Sequence, residues 1–355
     1  MDLGRYLRQT RLSNFGIERQ IKLYQSKVLV VGLGGLGIPI VQYLNAMGIG
    51  TLGLVEFDII ELHNLQRQVI YKENDLSKKK IDVVTNYLSN QNTNTKIIPF
   101  KTFLNSKNVL EIFEKFDLII DATDNFSTRY LINDSCIILK KPFIYGAIHG
   151  FEGHLSVFNY KNGPTYRCIF PEMPKINEVP NCDENGVLGI IPGIVGCNQA
   201  IEAIKIITDL GDVMSGILWI YDGLKQNIQK IKINSNPKNK NIDKLKDNYD
   251  QIFCETKNTI SCEDFMKIQS DKNHLIIDVR AKKEFENYSI KNSLNIPLEK
   301  IRRIDKSLLN KNEIYIVCKT GKRSLIALDI IKENYPNAKL KNILGGIDKY
   351  KSLCH

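Results

Sequence analysis

Gly32, Gly34 and Gly37 set a G-x-G-x-x-G spacing directly after the apolar run Lys27–Val31 (KVLVV), ahead of a helix-like stretch reaching about Met47. No other feature of the 355 residues restricts the fold so tightly. Glycines in that pattern let the backbone turn from a buried strand into a helix and approach phosphate groups, which a helix N-terminus favours. Gly35 belongs to the same turn. The next strand-like run, Thr51–Glu56 (TLGLVE), ends on Glu56, where a carboxylate would hold a ribose hydroxyl. Alone, this fingerprint fits a Rossmann-type NAD(P)-dependent oxidoreductase as well as any other nucleotide-binding enzyme. It also fits a tight turn that binds nothing.

Strand-like and helix-like segments alternate through the first half, which implies an α/β domain with a mainly parallel sheet. Further strands are expected at 96–100, 117–121, 143–148, 153–158, 216–221 and 226–233, with helices over 77–90 and 126–140. From Asn234 the chain turns polar and charged (NSNPKNKNIDKLKDNYDQ), and reads as a linker. Structure resumes near Thr259, with buried strands at 275–279 (LIIDV) and 313–317 (EIYIV) and a helix over 324–334. The expected organisation is a Rossmann-like domain over 1–234, a linker over 235–258 and a second α/β domain over 259–355.

The segments after the fingerprint are more specific. Asn64-Leu65-Gln66-Arg67-Gln68 follows the second strand, Lys80 opens the next helix, and Asp121-Ala122-Thr123-Asp124-Asn125 closes a later strand. With Arg5-Tyr6-Leu7-Arg8-Gln9 at the start, Gly163–Cys168 (GPTYRC) and Gly193–Gln199, this order resembles the MoeB/ThiF family, relatives of the ubiquitin-activating enzymes. The resemblance covers roughly residues 1–233. It implies ATP-dependent adenylylation of the C-terminal glycine of a ubiquitin-like sulfur carrier protein ending in Gly-Gly. The chemistry needs cations against the triphosphate and a divalent metal to align it. Arg67 and Lys80 would supply charge, Asp124 would hold Mg²⁺, and Asn64 would lie near the phosphates. Arg8 would reach into a partner subunit's ATP site, which implies a homodimer. As isolated residues, Arg67 and Lys80 read equally as surface charges and Asp124 as a helix N-cap. Glu56, with Asp58 two residues on, stands where most of the family has Asp.

Many relatives bind a structural zinc through two CxxC pairs. Here the first pair falls on Thr165 and Cys168, and the segment just after Ile233 (NSNPKNKN) has no cysteine. No zinc is therefore expected, and Cys168 reads as a small buried side chain. Cys182 (VPNC) matches the family's loop cysteine, which either attacks the acyl-adenylate or takes part in sulfur release; an ordinary loop cysteine is the alternative.

Cys318 ends the strand 313–317 and opens the loop Cys318-Lys319-Thr320-Gly321-Lys322-Arg323-Ser324, which runs into a helix. Loop amides including that of Gly321, the helix N-terminus at Ser324, and Arg323 would favour a thiolate or persulfide. A phosphatase cradle also sets Cys before Arg, but with one more residue than the four found here. The surrounding Ile277-Asp278-Val279-Arg280, Glu284-Phe285, Asn295-Ile296-Pro297 and Gly345-Gly346 resemble a rhodanese; Tyr288-Ser289-Ile290 departs from the usual G-H-I. The pair of resemblances implies a sulfur-mobilising enzyme of molybdopterin, thiazole or tRNA-thiolation chemistry, fed by a donor such as a cysteine desulfurase. A linker of two dozen residues would reach about 25–30 Å and hold Cys318 at about millimolar effective concentration. A catalytically silent scaffold that binds the carrier remains a second alternative.

Composition excludes little else. The net charge of +10 comes from lysines spread along the chain, without a basic stripe interleaved with aromatics, so no nucleic-acid role is expected. The most apolar stretch, Gly186–Ile207, is broken by Pro192, Asn198, Gln199 and Glu202, which argues against a membrane span. Eight scattered cysteines and no signal-like N-terminus point to the cytoplasm.

Overall fold

The computed structural model describes residues 3–174, 186–246, 249, 258–269, 273–310 and 313–354. The chain divides into two units, Met1–Gln251 and Ile252–His355.

The first unit is built on eight strands: β1 (Lys27–Val31), β2 (Thr51–Val55), β3 (Lys96–Phe100), β4 (Leu118–Asp121), β5 (Phe143–His149), β6 (Glu152–Phe158), β7 (Ile217–Asp222) and β8 (Asn227–Lys232). Their order is β3-β2-β1-β4-β5-β6-β7-β8. The β3-β2-β1-β4-β5 block is parallel, and β6 to β8 continue it antiparallel. Central β1, β2 and β4 are buried almost end to end, which is why they read as unbroken apolar runs. The strand order reverses between β1 and β4, so the loops leaving these two strands open a crevice at their carboxyl ends. That crevice receives the Gly32–Gly37 turn from β1 and the Asp121–Asn125 segment from β4.

Helix Ile190–Thr208 lines this unit from inside. It is long and apolar enough to cross a membrane by length and composition alone, yet it packs into the core. A Cβ on Gly196 would stand 2.5 Å from the Leu36 carbonyl oxygen and 2.6 Å from Pro39 Cγ, so helix Ile190–Thr208 packs closely on the start of helix Gly37–Met47 at this glycine. Gln199 Nε2 donates to the Asp121 carbonyl at 2.8 Å. Glu202, 2% exposed, pairs with Lys205 and accepts the Met214 N–H. Gln199 and Glu202, two of the polar residues that interrupt the apolar stretch, thus find hydrogen-bond partners inside the protein.

The expected linker is only partly a linker. Asn236 N–H reaches Cys168 Sγ at 3.3 Å and Asn239 Nδ2 the Arg167 carbonyl at 2.9 Å. Leu245 packs on the cluster containing Tyr130 and Tyr166, and the buried Tyr249 donates its hydroxyl to Asp134 Oδ2 at 2.7 Å. Asp134 also receives both Nε and a terminal nitrogen of Arg167, each at 2.8 Å. A polar composition hid two apolar anchors, Leu245 and Tyr249, whose burial outweighs the tendency of their neighbours to stay in water. Only residues 250–257 then separate Tyr249 from Asn258, the next described residue. The single tryptophan, Trp219 in β7, is buried in this unit and reports on it alone. Urea unfolding followed by Trp219 fluorescence should show Tyr249→Phe losing about 1 kcal/mol. Asp134→Ala should lose about 3–5 kcal/mol, because Arg167 is left as an unpaired, mostly buried charge.

The second unit is an all-parallel five-stranded sheet of β9 (Thr259–Ile260), β10 (His274–Asp278), β11 (Leu294–Asn295), β12 (Glu313–Val317) and β13 (Leu340–Ile343), in the order β11-β10-β12-β13-β9. β12 lies at its centre and delivers Cys318 to the carboxyl end, ahead of helix Lys322–Asn334.

Candidate functional site

In the first unit the glycines are dictated by contact. Gly32 has φ +96°, and a Cβ there would meet the Ala122 carbonyl oxygen at 2.7 Å; one on Gly37 would meet the Gly32 carbonyl oxygen at 2.0 Å. The turn therefore presses against the β4 loop and folds tightly onto its own helix. A Cβ on Gly34 would meet only Gln68 Nε2, at an ordinary contact distance of 3.7 Å. Gly35 lies under Arg67 and Pro192: a Cβ there would sit 3.4 Å from Arg67 Cγ and 2.9 Å from Pro192 Cβ. Arg67 thus runs along the turn, half-buried, its guanidinium donating to the His63 carbonyl at 2.9 Å.

Glu56 does more than end a strand. One carboxylate oxygen accepts the Leu33 N–H at 2.9 Å, and the other accepts the N–H groups of Phe57 (2.8 Å) and Asp58 (3.0 Å). It staples the glycine turn to β2. The oxygen that takes only the Leu33 N–H retains a lone pair for a ribose hydroxyl. Asp58 turns instead to Lys80, whose ammonium lies 3.2 Å from Asp58 Oδ2. The lysine is almost buried, with 7% of its side chain exposed against 61% for the aspartate. Tyr71 closes the floor, donating its hydroxyl to the Leu33 carbonyl at 2.9 Å; burial, then Glu56 and Asp58, raise its pKa and keep it neutral. Asn64 is buried, and its Oδ1 accepts the Glu61 N–H at 3.0 Å, which closes the turn that carries Arg67.

On the β4 side, Asn125 caps helix Phe126–Ile138 by accepting the Thr128 N–H at 2.9 Å. The cap is therefore not Asp124, whose carboxylate is exposed. An oxygen donor at the end of β4, across the crevice from the glycine turn, fits a hard divalent cation shared with phosphates.

In the second unit Cys318 is 1% exposed, and its Sγ accepts the Gly321 N–H at 3.1 Å and the Ser324 hydroxyl at 3.3 Å. Gly321, at φ +92°, lets the loop fold back over the sulfur. Behind the loop, the N–H groups of Ile347 and Asp348 bond the carbonyls of Cys318 and Lys319 at 2.9 and 3.0 Å. A side chain on Gly346 would collide with the Cys318 carbonyl oxygen at 2.3 Å, which accounts for the Gly345-Gly346 pair. Arg323 is held by a neighbouring carboxylate. Its two terminal nitrogens both donate to Glu284, each at 2.8 Å, so it acts on the thiol from a distance and not by contact. Those bonds hold the Glu284 carboxyl below the usual glutamate range and push Arg323 further up.

Comparison with known proteins decides what these two sites belong to. The model of the ThiF family matches residues 6–243. The chain belongs to the ThiF family. A rhodanese-like domain model matches residues 261–353. The adenylyltransferase and sulfurtransferase MOCS3 of Drosophila persimilis is 36% identical over 372 residues, covering 98% of this chain and 82% of that protein. Its counterpart in Culex quinquefasciatus is 37% identical over 380 residues, covering 98% and 86%. Among solved structures, E. coli MccB with MccA-N7isoASN superposes with a TM-score of 0.60 at 21% identity, over 67% of this chain and 73% of that one. E. coli MccB with ATP gives 0.55 at 20% identity, over 62% and 67%. The structural likeness shows the fold of the ThiF domain. The chain is an enzyme with an adenylyltransferase and a sulfurtransferase domain.

Within the ThiF domain the structure gathers Gly32, Gly34, Gly35, Gly37, Glu56, Asn64, Arg67 and Lys80 around one turn, with Asp124 on the facing loop. Arg8 stands exposed on the short helix Leu7–Thr10, and among the described residues no hydrogen bond or ion pair ties it to the turn. Cys182 lies outside the described residues. Cys168 is not the plain buried side chain expected of it. It is half-buried, and its sulfur is surrounded by donors: Thr165 N–H (3.4 Å) and hydroxyl (3.5 Å), Asn236 N–H (3.3 Å) and Asn239 Nδ2 (3.7 Å). Burial opposes the thiolate, but the bonds from Asn236, Thr165 and Asn239 outweigh it and lower the Cys168 pKa. The neighbours Thr165, Asn236 and Asn239 are not the Cys, His or carboxylate side chains that zinc takes. The sequence reading passed over the buried pair Asp121 and Arg129 and the clamp from Glu284 to Arg323. An arginine set among the apolar positions of helix Phe126–Ile138 was the available signal for the first.

Proposed function

We propose that this enzyme adenylylates the C-terminal carboxylate of a ubiquitin-like sulfur carrier ending in Gly-Gly, then converts it to a thiocarboxylate with sulfur carried on Cys318. The observation that carries this reading is one chain holding both halves of the chemistry. One unit has a glycine turn flanked by Arg67 and the Lys80–Asp58 pair. The other has a cysteine whose sulfur already accepts an amide and a hydroxyl.

In the first step a carboxylate oxygen of the carrier attacks the α-phosphorus of ATP. Pyrophosphate leaves with the bonding electron pair, and an acyl-adenylate remains. Arg67 and Lys80 neutralise charge on the triphosphate, Glu56 orients the ribose, and the glycine turn seats the phosphates. Mg²⁺ would bind at Asp124 and supply charge neutralisation across the phosphate oxygens. In the second step a persulfide on Cys318, loaded by a donor such as a cysteine desulfurase, attacks the acyl carbon and expels AMP. The acyl disulfide that results is cleaved by a thiol, for which we assign Cys182. The products are the thiocarboxylate and a protein disulfide, which a cellular dithiol reduces. We place this chemistry in the cytoplasm, where such a reductant keeps thiols free. We also assign a homodimer, with the exposed Arg8 serving the neighbouring subunit.

The test is to incubate the protein with ATP, Mg²⁺, a persulfide source and carriers of the molybdopterin, thiazole and tRNA-thiolation types, following carrier mass and pyrophosphate. A mass gain equal to replacement of one oxygen by sulfur is expected with one carrier. Pyrophosphate release without that gain removes the second step; no release with any carrier removes the first.

A further inference from the structure

Beneath the exposed Asp124 lies a buried charged pair that the chemistry above leaves unused. Arg129 is 7% exposed and sits in the first turn of helix Phe126–Ile138, its guanidinium carbon 5.6 Å from the centre of the Phe126 ring and 5.4 Å from that of Tyr145. One terminal nitrogen donates to the Thr123 carbonyl at 2.9 Å. Its Nε faces Asp121 Oδ2 at 4.0 Å, too far for a hydrogen bond but close for two charges in a dry interior. Asp121 is wholly buried. Its other oxygen accepts both the Thr123 N–H (3.0 Å) and the Thr123 hydroxyl (2.7 Å).

Thr123 is thus pinned on both sides, its N–H and hydroxyl by Asp121 and its carbonyl by Arg129. Asn125 is fixed from the far side by its cap on Thr128. Asp124 lies between these two anchored residues, so the direction of its carboxylate is set by a peptide it does not itself hold. The same loop backs the phosphate turn, since Gly32 presses on the Ala122 carbonyl. Burying an ion pair contributes little to stability compared with well-packed apolar side chains, and an uncharged donor would satisfy the Thr123 carbonyl. What the pair supplies is a fixed geometry.

We propose that Arg129, with Asp121, is a positioning residue that holds the Thr123–Asp124 peptide so that Asp124 presents its carboxylate to a divalent cation at the phosphate turn. The inference rests on the adenylylation reading and on Asp124 as the cation's ligand. Arg129 touches neither nucleotide nor metal.

The experiment uses the full chain and three variants: Arg129→Lys, which keeps a charge but cannot span the same contacts; Asp121→Asn, which keeps the shape and an acceptor for Thr123; and Asp124→Asn as reference. Mn²⁺ binding in the presence of adenylyl imidodiphosphate is read from the electron paramagnetic resonance signal of free Mn²⁺, with no turnover required. Mg²⁺ half-saturation of ATP–pyrophosphate exchange and the Trp219 urea midpoint are measured alongside. Arg129→Lys and Asp121→Asn are expected to weaken Mn²⁺ binding about 10–100-fold and to raise the Mg²⁺ requirement in parallel. Binding of the metal-free analogue should stay as in the wild type. If both variants lower only the Trp219 midpoint and leave Mn²⁺ affinity intact, the pair is structural and the proposal fails alone. If both weaken metal-free analogue as much as Mn²⁺ binding, the loop has collapsed as a whole and the positioning role is likewise refuted. If Asp124→Asn itself binds Mn²⁺ normally, the assignment of the metal carboxylate falls and takes this inference with it.

Discussion

Cys318→Ala is expected to abolish thiocarboxylate formation while pyrophosphate release continues at the wild-type rate. Removing a covalent nucleophile costs on the order of 10⁴-fold or more, because no other group takes over the bond it forms. The structure gives two reasons to expect the loss to be confined to sulfur chemistry. The thiol sits in its own folded unit, separate from the glycine turn. The loop around it is held mainly by backbone contacts, from Ile347 and Asp348 to the Cys318 and Lys319 carbonyls, which alanine does not disturb. Cys318→Ser is the companion variant, since its hydroxyl retains an acceptor for the Gly321 N–H. Carrier mass and pyrophosphate are followed in the same tubes. Thiocarboxylate appearing with either variant at more than a trace would mean that another cysteine carries the sulfur.

Lys80→Ala is expected to reduce ATP–pyrophosphate exchange by about 10²–10³-fold, the usual loss when one preorganised donor to a developing anionic centre is removed. The geometry argues for the upper end. Lys80 is nearly buried and Asp58 largely exposed, so the ammonium is the fixed member of the pair and the carboxylate the mobile one. Alanine removes the cation and also leaves Asp58 unneutralised beside the triphosphate. A double variant, Lys80→Ala with Asp58→Ala, should therefore recover part of the loss, and Asp58→Ala alone should cost much less. The Trp219 urea midpoint separates this from unfolding. Exchange in Lys80→Ala close to the wild-type rate would remove the lysine from the phosphate site.

The glycine fingerprint, the buried parallel strands and the order of the segments NLQRQ, Lys80 and D-x-TDN were readable along the chain because each depends on local requirements. A turn that meets a carbonyl oxygen at 2.0 Å tolerates only glycine, and a strand buried on both faces must be apolar throughout. The same holds for Cys318, whose loop of Gly321 and Ser324 follows it within six residues. Short edge strands such as β9 and β11 escaped because two residues carry no period.

Sequence by itself thus determined two α/β domains and their families, and singled out candidate residues for each site. Tertiary structure alone decided how those residues are shared out. Arg323 spends its donors on Glu284, thirty-nine positions away. Glu56 staples the turn while Asp58 takes Lys80. Cys168 is ringed by donors from Thr165 beside it and from the distant Asn236 and Asn239, and Leu245 with Tyr249 turns a polar stretch into a docked strap. Each outcome is a competition among partners distant in the chain, and which hydrogen bond forms depends on distances that no local pattern encodes.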